Sequence, residues 1–176
     1  MPTFTGYPGS EFNVIGSFNS FFQTQLTAKG IPTFMSSAVI NYDFPVKPLT
    51  FPSFSVTHLG SEQSQTFQGR GADNGWRGDE KIGIAQIDCW DSYNRASGNH
   101  VRNIRVMSDM VSRVYVTGAA FPILDVYGST ASPTGNGTII RCETVTRQPT
   151  TPDPNPDIIR SRLLINYKWI ERASAA

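Results

Sequence analysis

The chain has 176 residues, of which 39% are hydrophobic and 16% are charged. This length predicts one domain that can bury a core without disulfides or metals. With 15 Lys and Arg against 14 Asp and Glu, the charge balance argues against a dedicated nucleic-acid binder. The first residues lack the basic and apolar segments of a secretory signal, and no apolar run approaches the roughly 20 residues that cross a bilayer. We therefore expect a soluble cytoplasmic product with reduced thiols and no membrane partner.

The first half of the chain predicts one helix and three strands after an N-terminal arm over residues 1–9. The helix is capped by Ser10, carries apolar residues at three- and four-residue steps, and ends at Gly30. Three strand candidates follow, at residues 37–42, 53–59 and 81–90. The third is apolar on both faces, as expected for an interior strand.

The second half predicts another helix over residues 99–116, followed by strands over 122–127, 138–146 and 158–171. The apolar stripe of this helix comprises Val101, Ile104, Met107, Val111 and Val114. The last strand alternates apolar and polar residues and, at about 3.3 Å per residue, would span roughly 45 Å. We expect so long a strand to project past its own sheet or to support a neighbouring subunit.

The element order α-β-β-β-α-β-β-β predicts an α+β fold, in which a mainly antiparallel mixed sheet carries two helices packed on one face. We expect a single domain over residues 1–176. Two segments are predicted to project from it, the loop over 68–80 with four glycines and the spacer over 148–157 with four prolines.

These projecting segments supply most of the candidate protein-contact residues, because exposed Trp and Arg are enriched at interface hot spots. Trp76 is the first candidate, the alternative being that it packs its loop onto the domain's own core. The last strand adds two basic positions. The full candidate set is Arg70, Asp73, Trp76, Arg77, Asp153, Asn155, Arg160 and Arg162.

No combination of residues predicts a catalytic, cofactor or metal site. His58 and His100 lie outside the zinc-protease and triad patterns. We expect His58 to be a packed or hydrogen-bonded strand residue and His100 a surface residue. Asp88 and Asp91, three residues apart on a strand, are expected to point to opposite faces and to mark where the strand leaves the core.

The remaining motifs are weak. The segment over 69–75 resembles a phosphate-binding loop, but Asn74 stands where the third glycine is required. Cys89 and Cys142 both fall on strand candidates and are expected to be small buried hydrophobic residues. Whether they are close enough for a disulfide stays open, because that depends on geometry.

A larger pattern comprises an opening amphipathic helix, a Pro-rich passage over 44–52, a second helix, and three strand ends. These are Thr57-His58-Leu59-Gly60, Ile87-Asp88-Cys89-Trp90 and Arg162-Leu163-Leu164-Ile165-Asn166-Tyr167-Lys168-Trp169. The second helix contains Met107-Ser108-Asp109-Met110-Val111. Over residues 10–172, this order of elements resembles the tail terminator (tail-to-head joining) proteins of long-tailed bacteriophages.

The resemblance implies an α+β fold that assembles as a homohexameric ring on the last ring of the tail tube. The ring would end tube polymerisation and offer a surface to the head connector. The implied partners are the chain itself, the major tail tube protein and a head-completion or connector protein, with DNA only passing through the lumen. The resemblance implies no enzyme activity and no cofactor, assembly in the bacterial host cytoplasm, and a final location in the tail or neck of the virion.

Three other interpretations stay open. The first is another neck component, such as a head-completion or stopper protein. The second is a polymer hydrolase with Asp88 or Asp79 as its acid, which predicts loss of turnover when the carboxylate is mutated. The third is a small-molecule or carbohydrate-binding module using Trp76 and Tyr93, which predicts a monomer stabilised by its ligand. The assembly interpretation predicts a ring or a ready oligomeriser.

Overall fold

A computed structural model describes residues 11–30, 32–35, 38–42, 50–68, 77–93, 99–126, 132–133, 138–149, 151–152 and 154–173. The helices are α1 (Glu11–Lys29) and α2 (His100–Val114), with a 3₁₀ turn at Thr33–Met35. The strands are β1 (Val39–Tyr42), β2 (Ser53–Gln68), β3 (Arg77–Ser92), β4 (Ala120–Pro122), β5 (Leu124–Asp125), β6 (Ser132–Pro133), β7 (Ile139–Arg147), β8 (Thr151–Pro152) and β9 (Ile158–Ala173). The predicted arm over 1–9 lies outside the described residues.

The described strands form one seven-stranded sheet and one small pair. The large sheet has the order β1-β2-β3-β9-β7-β4, with β8 also paired to β9. Only β1 runs parallel to its neighbour, so the sheet is mixed and mainly antiparallel. The two-residue strands β5 and β6 pair with each other. This architecture confirms the predicted α+β class. The single strand predicted over 122–127 is wrong, because β4 and β5 divide that region, and β6 and β8 are two-residue strands that the sequence did not predict.

The centre of the sheet is the pair β3 and β9, which are hydrogen-bonded over their full length of 16 residues each. The prediction that the last strand projects past its own sheet is wrong, because β3 flanks all of β9 and both β7 and β8 pair with its other side. The error arose because β2 and β3 are longer than their apolar patterns. The polar residues 60–68 continue β2, and the predicted loop over 68–80 is strand from Arg77 onward.

Both helices pack on one face of the sheet, as predicted. Phe22 of α1 meets Phe54 of β2 edge to face, with ring centroids 4.9 Å apart, and Phe18 meets Tyr167 of β9 at 5.0 Å. On α2, the Ser108 hydroxyl donates to Ser161 of β9 at 2.8 Å. Each of the large side chains is 1% exposed or less, and burying one of that size stabilises the fold by about 1.5–3 kcal/mol.

One side of α1 receives the segment around β5 at very close range. A Cβ atom at Gly16 would lie 2.7 Å from a methyl group of Val126, so only glycine allows this approach. The flanking polar residues bind the segment's backbone. Leu124 donates its N–H to the Ser17 hydroxyl at 2.8 Å, and Val126 donates to Asn13 Oδ1 at 3.0 Å.

Helix α2 begins where Asn99 caps it, its side chain accepting a hydrogen bond from the backbone N–H three residues on. The predicted stripe is confirmed at Ile104, Met107, Val111 and Val114, all of which are buried. At Val101 it is wrong, because that side chain is 41% exposed. Asn103 and Ser108 are buried instead, since each finds a hydrogen-bond partner on the sheet.

The spacer over 148–157, which was predicted to project, is tied to the sheet at Gln148 and Thr151–Pro152, while residues 154–157 are exposed. Gln148 donates its N–H to the carbonyl of Arg162 at 2.8 Å, and Thr151–Pro152 pairs with residues 159–160 of β9. A proline is tolerated here because β8 is an edge strand, where a missing N–H breaks no ladder bond. The segment therefore runs back along the sheet.

Candidate protein-contact surface

The eight predicted contact residues fall in different parts of the chain. Four lie outside the described residues, namely Arg70, Asp73, Trp76 and Asp153. Arg77 is the first residue of β3, and Asn155 is exposed in the turn before β9. Arg160 and Arg162 lie two residues apart on β9, and the structure brings these two together on one carboxylate.

The sheet has a second face, opposite to the helices, to which the even-numbered residues of β3 and β9 belong. Across the central strand pair, Ile84 lies opposite Asn166, Asp88 opposite Arg162, and Trp90 opposite Arg160. At one end of this face Asp88 and Trp90 are buried, whereas Ile84 is 38% exposed. The second face therefore has a buried charged end and an open apolar end.

Asp88 organises the charged end of the second face. Its side chain is 2% exposed and accepts three hydrogen bonds, from Gln86 Nε2 at 2.6 Å, Arg160 Nε at 3.0 Å and Arg162 Nε at 3.2 Å. Charged donors replace water around the buried carboxylate. The prediction that Asp88 marks where the strand leaves the core is wrong, since Asp88 is itself buried. Both oxygens of Asp88, one of the two candidate hydrolase acids, accept hydrogen bonds from side chains of the chain itself.

Two further contacts fix the direction of Arg160. Its guanidinium lies over the Trp90 ring, with the central carbon 4.7 Å from the ring centroid. The indole N–H of Trp90 in turn donates to the Ser55 hydroxyl at 3.0 Å. Two guanidinium groups against one carboxylate leave this cluster with one net positive charge. Stacking and hydrogen bonding hold that charge in place.

Asp91 lies on the helix side of the same strand, which confirms that Asp88 and Asp91 point to opposite faces. It is fully buried and accepts hydrogen bonds from Asn103 Nδ2 at 3.2 Å and from the N–H of Ser92 at 2.9 Å. His100 Nδ1 lies 3.4 Å from its carboxylate, and the His100 side chain is 11% exposed. The expectation of a surface His100 is wrong, because the start of α2 sits on the end of β3.

The other histidine and the exposed tyrosine of the sequence analysis also have ring neighbours. His58 is half-buried on β2, with its ring centroid 6.2 Å from that of Tyr167, so the expectation of a packed strand residue is confirmed. Tyr93 is 45% exposed and meets the His100 ring edge to face at 5.9 Å. Trp76, its predicted partner in a binding module, lies outside the described residues.

Both cysteines are buried, as predicted, and both are free. Burial raises the pKa of the Cys142 thiol to about 12 and that of Cys89 higher still. Cys89 lies beside Ser161 and Cys142 beside Tyr167. Six residues along one strand correspond to roughly 20 Å, well beyond the reach of a disulfide.

The open end of the second face is a groove made by two β-bulges. One lies in β2 between His58 and Gly60, the other in β7 between Cys142 and Thr144. Because a bulge bends its strand, bulges in two flanking strands curl the sheet between them. Gly60 has a φ of 131°, which favours glycine. The groove encloses about 640 Å³, and its lining includes Leu59, Glu62, Ile82, Ile84, Thr144 and Asn166.

The groove has an apolar floor and a charged rim. Leu59 and Ile84 are 51% and 38% exposed. On the rim, Lys168 Nζ lies 2.6 Å from Glu143, whose hydrogen bond raises the pKa of Lys168. An apolar centre with a polar rim is typical of protein contacts. The sequence analysis missed this site, although its signal, isoleucines on both faces of β3, was visible.

The described part of the chain contains neither a candidate metal-binding cluster nor a membrane-spanning helix. No group of three or more His, Cys, Asp or Glu side chains there could hold a metal ion. Neither of its helices has the length and apolar character needed to span a bilayer.

Comparison with known proteins does not identify a family for the chain. No family model matches the chain, and no curated protein matches it. Among the solved structures that align with the chain, one has a TM-score of 0.49 at 8% sequence identity, covering 92% of this chain and 96% of that chain. A likeness at this level carries no inference about function.

Proposed function

We propose that this chain is a structural, non-enzymatic assembly protein of a bacteriophage virion, which caps the tail tube as a ring, ends tube polymerisation and joins the tail to the head connector. The observation that carries a protein-contact role is the open groove on the second face. Exposed apolar surface with a charged rim marks interaction sites in soluble proteins. The specific assignment to a tail terminator is supported by the order of sequence elements, from the opening amphipathic helix to the long closing strand.

Two open sheet edges support assembly with further copies of the chain. β1 pairs only with the first four residues of β2, so among the described residues the rest of β2 has no strand on its outer side. At the other edge, β4 pairs only with residues 139–141 of β7. Open strands are templates for pairing with another chain. Pairing the β2 edge of one copy with the β7 edge of the next is a head-to-tail contact, which closes into a ring if the rotation closes.

In this proposal the partners are copies of the chain itself, the major tail tube protein and a head-completion or connector protein. DNA passes through the lumen of the ring. The protein acts in the tail or neck of the virion after assembly in the host cytoplasm. Another neck component would use the same contact chemistry on a different stacking partner, and the experiment below separates the two.

The test is solution mass by light scattering, followed by negative-stain images with and without tail tube protein. We expect a ring of about six subunits, or caps on tube ends. Leu59→Asp should abolish capping while the protein stays folded. Val116→Asp, at a matched exposure of 50% outside the groove lining, should leave capping intact. A strict monomer that ignores tubes would overturn the terminator proposal, and binding to connector protein alone would identify another neck component.

A further inference from the structure

The guanidinium groups of Arg160 and Arg162 carry more donors than Asp88 uses. Each binds the carboxylate through Nε alone. Among the described residues, none accepts a hydrogen bond from the terminal nitrogens of either arginine. Their side chains are 21% and 37% exposed. The remaining N–H donors of each planar guanidinium are therefore available to an acceptor outside this cluster.

We infer that Arg160 and Arg162, oriented by Asp88, form a preset binding site for a carboxylate of the protein that docks on the second face. One carboxylate would neutralise the single positive charge left by two guanidiniums and Asp88. Both arginine side chains are partly exposed, so an incoming carboxylate can reach their remaining N–H donors and form charge-assisted hydrogen bonds. Arg forks match carboxylates with two parallel hydrogen bonds, so a preset pair selects this chemistry by shape as well as by charge.

The surroundings favour a protein carboxylate over a phosphate of nucleic acid. The groove floor at Ile84 lies four residues along β3 from Asp88, which corresponds to about 13 Å on the same face. A polypeptide can place an apolar side chain in the groove and an Asp or Glu at the arginines, whereas a nucleic-acid backbone offers only the anion. The chain's net charge of +1 also lacks the basic excess of a nucleic-acid binder.

Carboxylate binding by the arginines can be tested on the isolated chain, whereas the identity of the docking protein rests on the proposed function. The probe is sodium acetate, titrated against the ¹⁵N-labelled protein while the arginine Nε–Hε signals are followed by NMR at constant ionic strength. We expect saturable shifts at Arg160 and Arg162, with half-saturation on the order of tens of millimolar. Arg162→Gln should weaken acetate binding about tenfold, and Arg162→Lys, which keeps the charge without the fork, should be intermediate.

Arg147→Gln is the matched control, because Arg147 sits in an exposed ion pair with Asp109 and is 40% exposed. It should leave acetate binding unchanged. Shifts in the wild-type protein that do not saturate would overturn the site whatever the variants do. Inorganic phosphate binding more than tenfold tighter than acetate would also overturn it, since the arginines would then serve a phosphate ligand.

The tube-capping assay keeps this inference separate from the proposed function. If wild-type protein caps tubes and Arg162→Gln caps them equally well, the arginine site is wrong and the terminator proposal stands. If acetate binds as expected and the protein ignores tubes, the carboxylate site stands and the terminator proposal falls.

Discussion

Removing the charge of Asp88 is the most direct test of the cluster on the second face. In Asp88→Asn the shape is kept, while Arg160 and Arg162 lose their shared counter-ion. The carboxylate is 2% exposed, so water cannot take its place. We expect the variant to fold with clearly reduced stability.

The magnitude follows from the two pairs taken separately. The bond from Arg160, whose side chain is 21% exposed, contributes about 1.5–3 kcal/mol as a charge-assisted hydrogen bond. The bond from Arg162 must be discounted, because a side chain that is 37% exposed behaves more like a surface pair worth at most about 1 kcal/mol. We therefore expect a loss of about 2–4 kcal/mol in the free energy of unfolding. For a chain of this size that corresponds to a fall in Tm of roughly 5–12 °C.

The assay is urea unfolding at pH 7, with Asp109→Asn as the control. Asp109 and Arg147 form an exposed pair, with side chains 56% and 40% exposed, so this variant should lose less than about 1 kcal/mol. Adding Arg162→Gln to Asp88→Asn should recover part of the loss, because one orphaned cation is removed. Equal losses in Asp88→Asn and Asp109→Asn would refute the conclusion that Asp88 is a buried, doubly paired carboxylate.

Other substitutions and pH test the core. Asn19 is 2% exposed and its amide has no partner in the described part of the chain, so Asn19→Leu should raise the free energy of unfolding by about 1–2 kcal/mol. Asn13→Leu, which removes the acceptor of the Val126 backbone N–H, should lower it, and a loss in both variants would contradict the reasoning. Burial raises the pKa of Cys142 from 9.0 to about 12, so the unfolded chain releases this proton first and stability should fall as pH rises above about 9, by up to about 1.4 kcal/mol per pH unit. A Cys142→Ala variant with an unchanged slope would exclude that thiol as a cause. Gly83→Ala would place a methyl group 2.6 Å from the Tyr167 hydroxyl and should lower the free energy of unfolding by about 1–3 kcal/mol. An unchanged unfolding midpoint in urea would contradict this.

Local sequence patterns predicted both helices and the buried face of the last strand. The apolar steps of α1 repeat with the helical period, and Gly30, at a φ of 78°, ends the helix where expected. The alternation of β9 matches its burial at every position from Ile159 to Trp169. These signals are readable because each follows from the geometry of one element against one buried face.

Patterns failed where the chain is polar but ordered. Residues 60–68 show no clear apolar alternation, yet they continue β2, because β3 supplies a partner for their backbone groups. β3 likewise pairs with the whole of β9, which was predicted to project past its own sheet. Backbone pairing is independent of side-chain polarity, so hydropathy could not locate these strand ends.

The sequence by itself determined the α+β class, both helices, the interior character of β3 and the buried face of β9, since each depends on the spacing of apolar residues within one segment. Only the tertiary structure decided that Asp88 is buried between Arg160 and Arg162, because its partners lie 72 and 74 residues away in the chain. The groove likewise needs bulges in β2 and β7 to curl one sheet between them. A charge's burial and a surface's curvature are properties of elements brought together, and neither is encoded in the periodicity of any one of them.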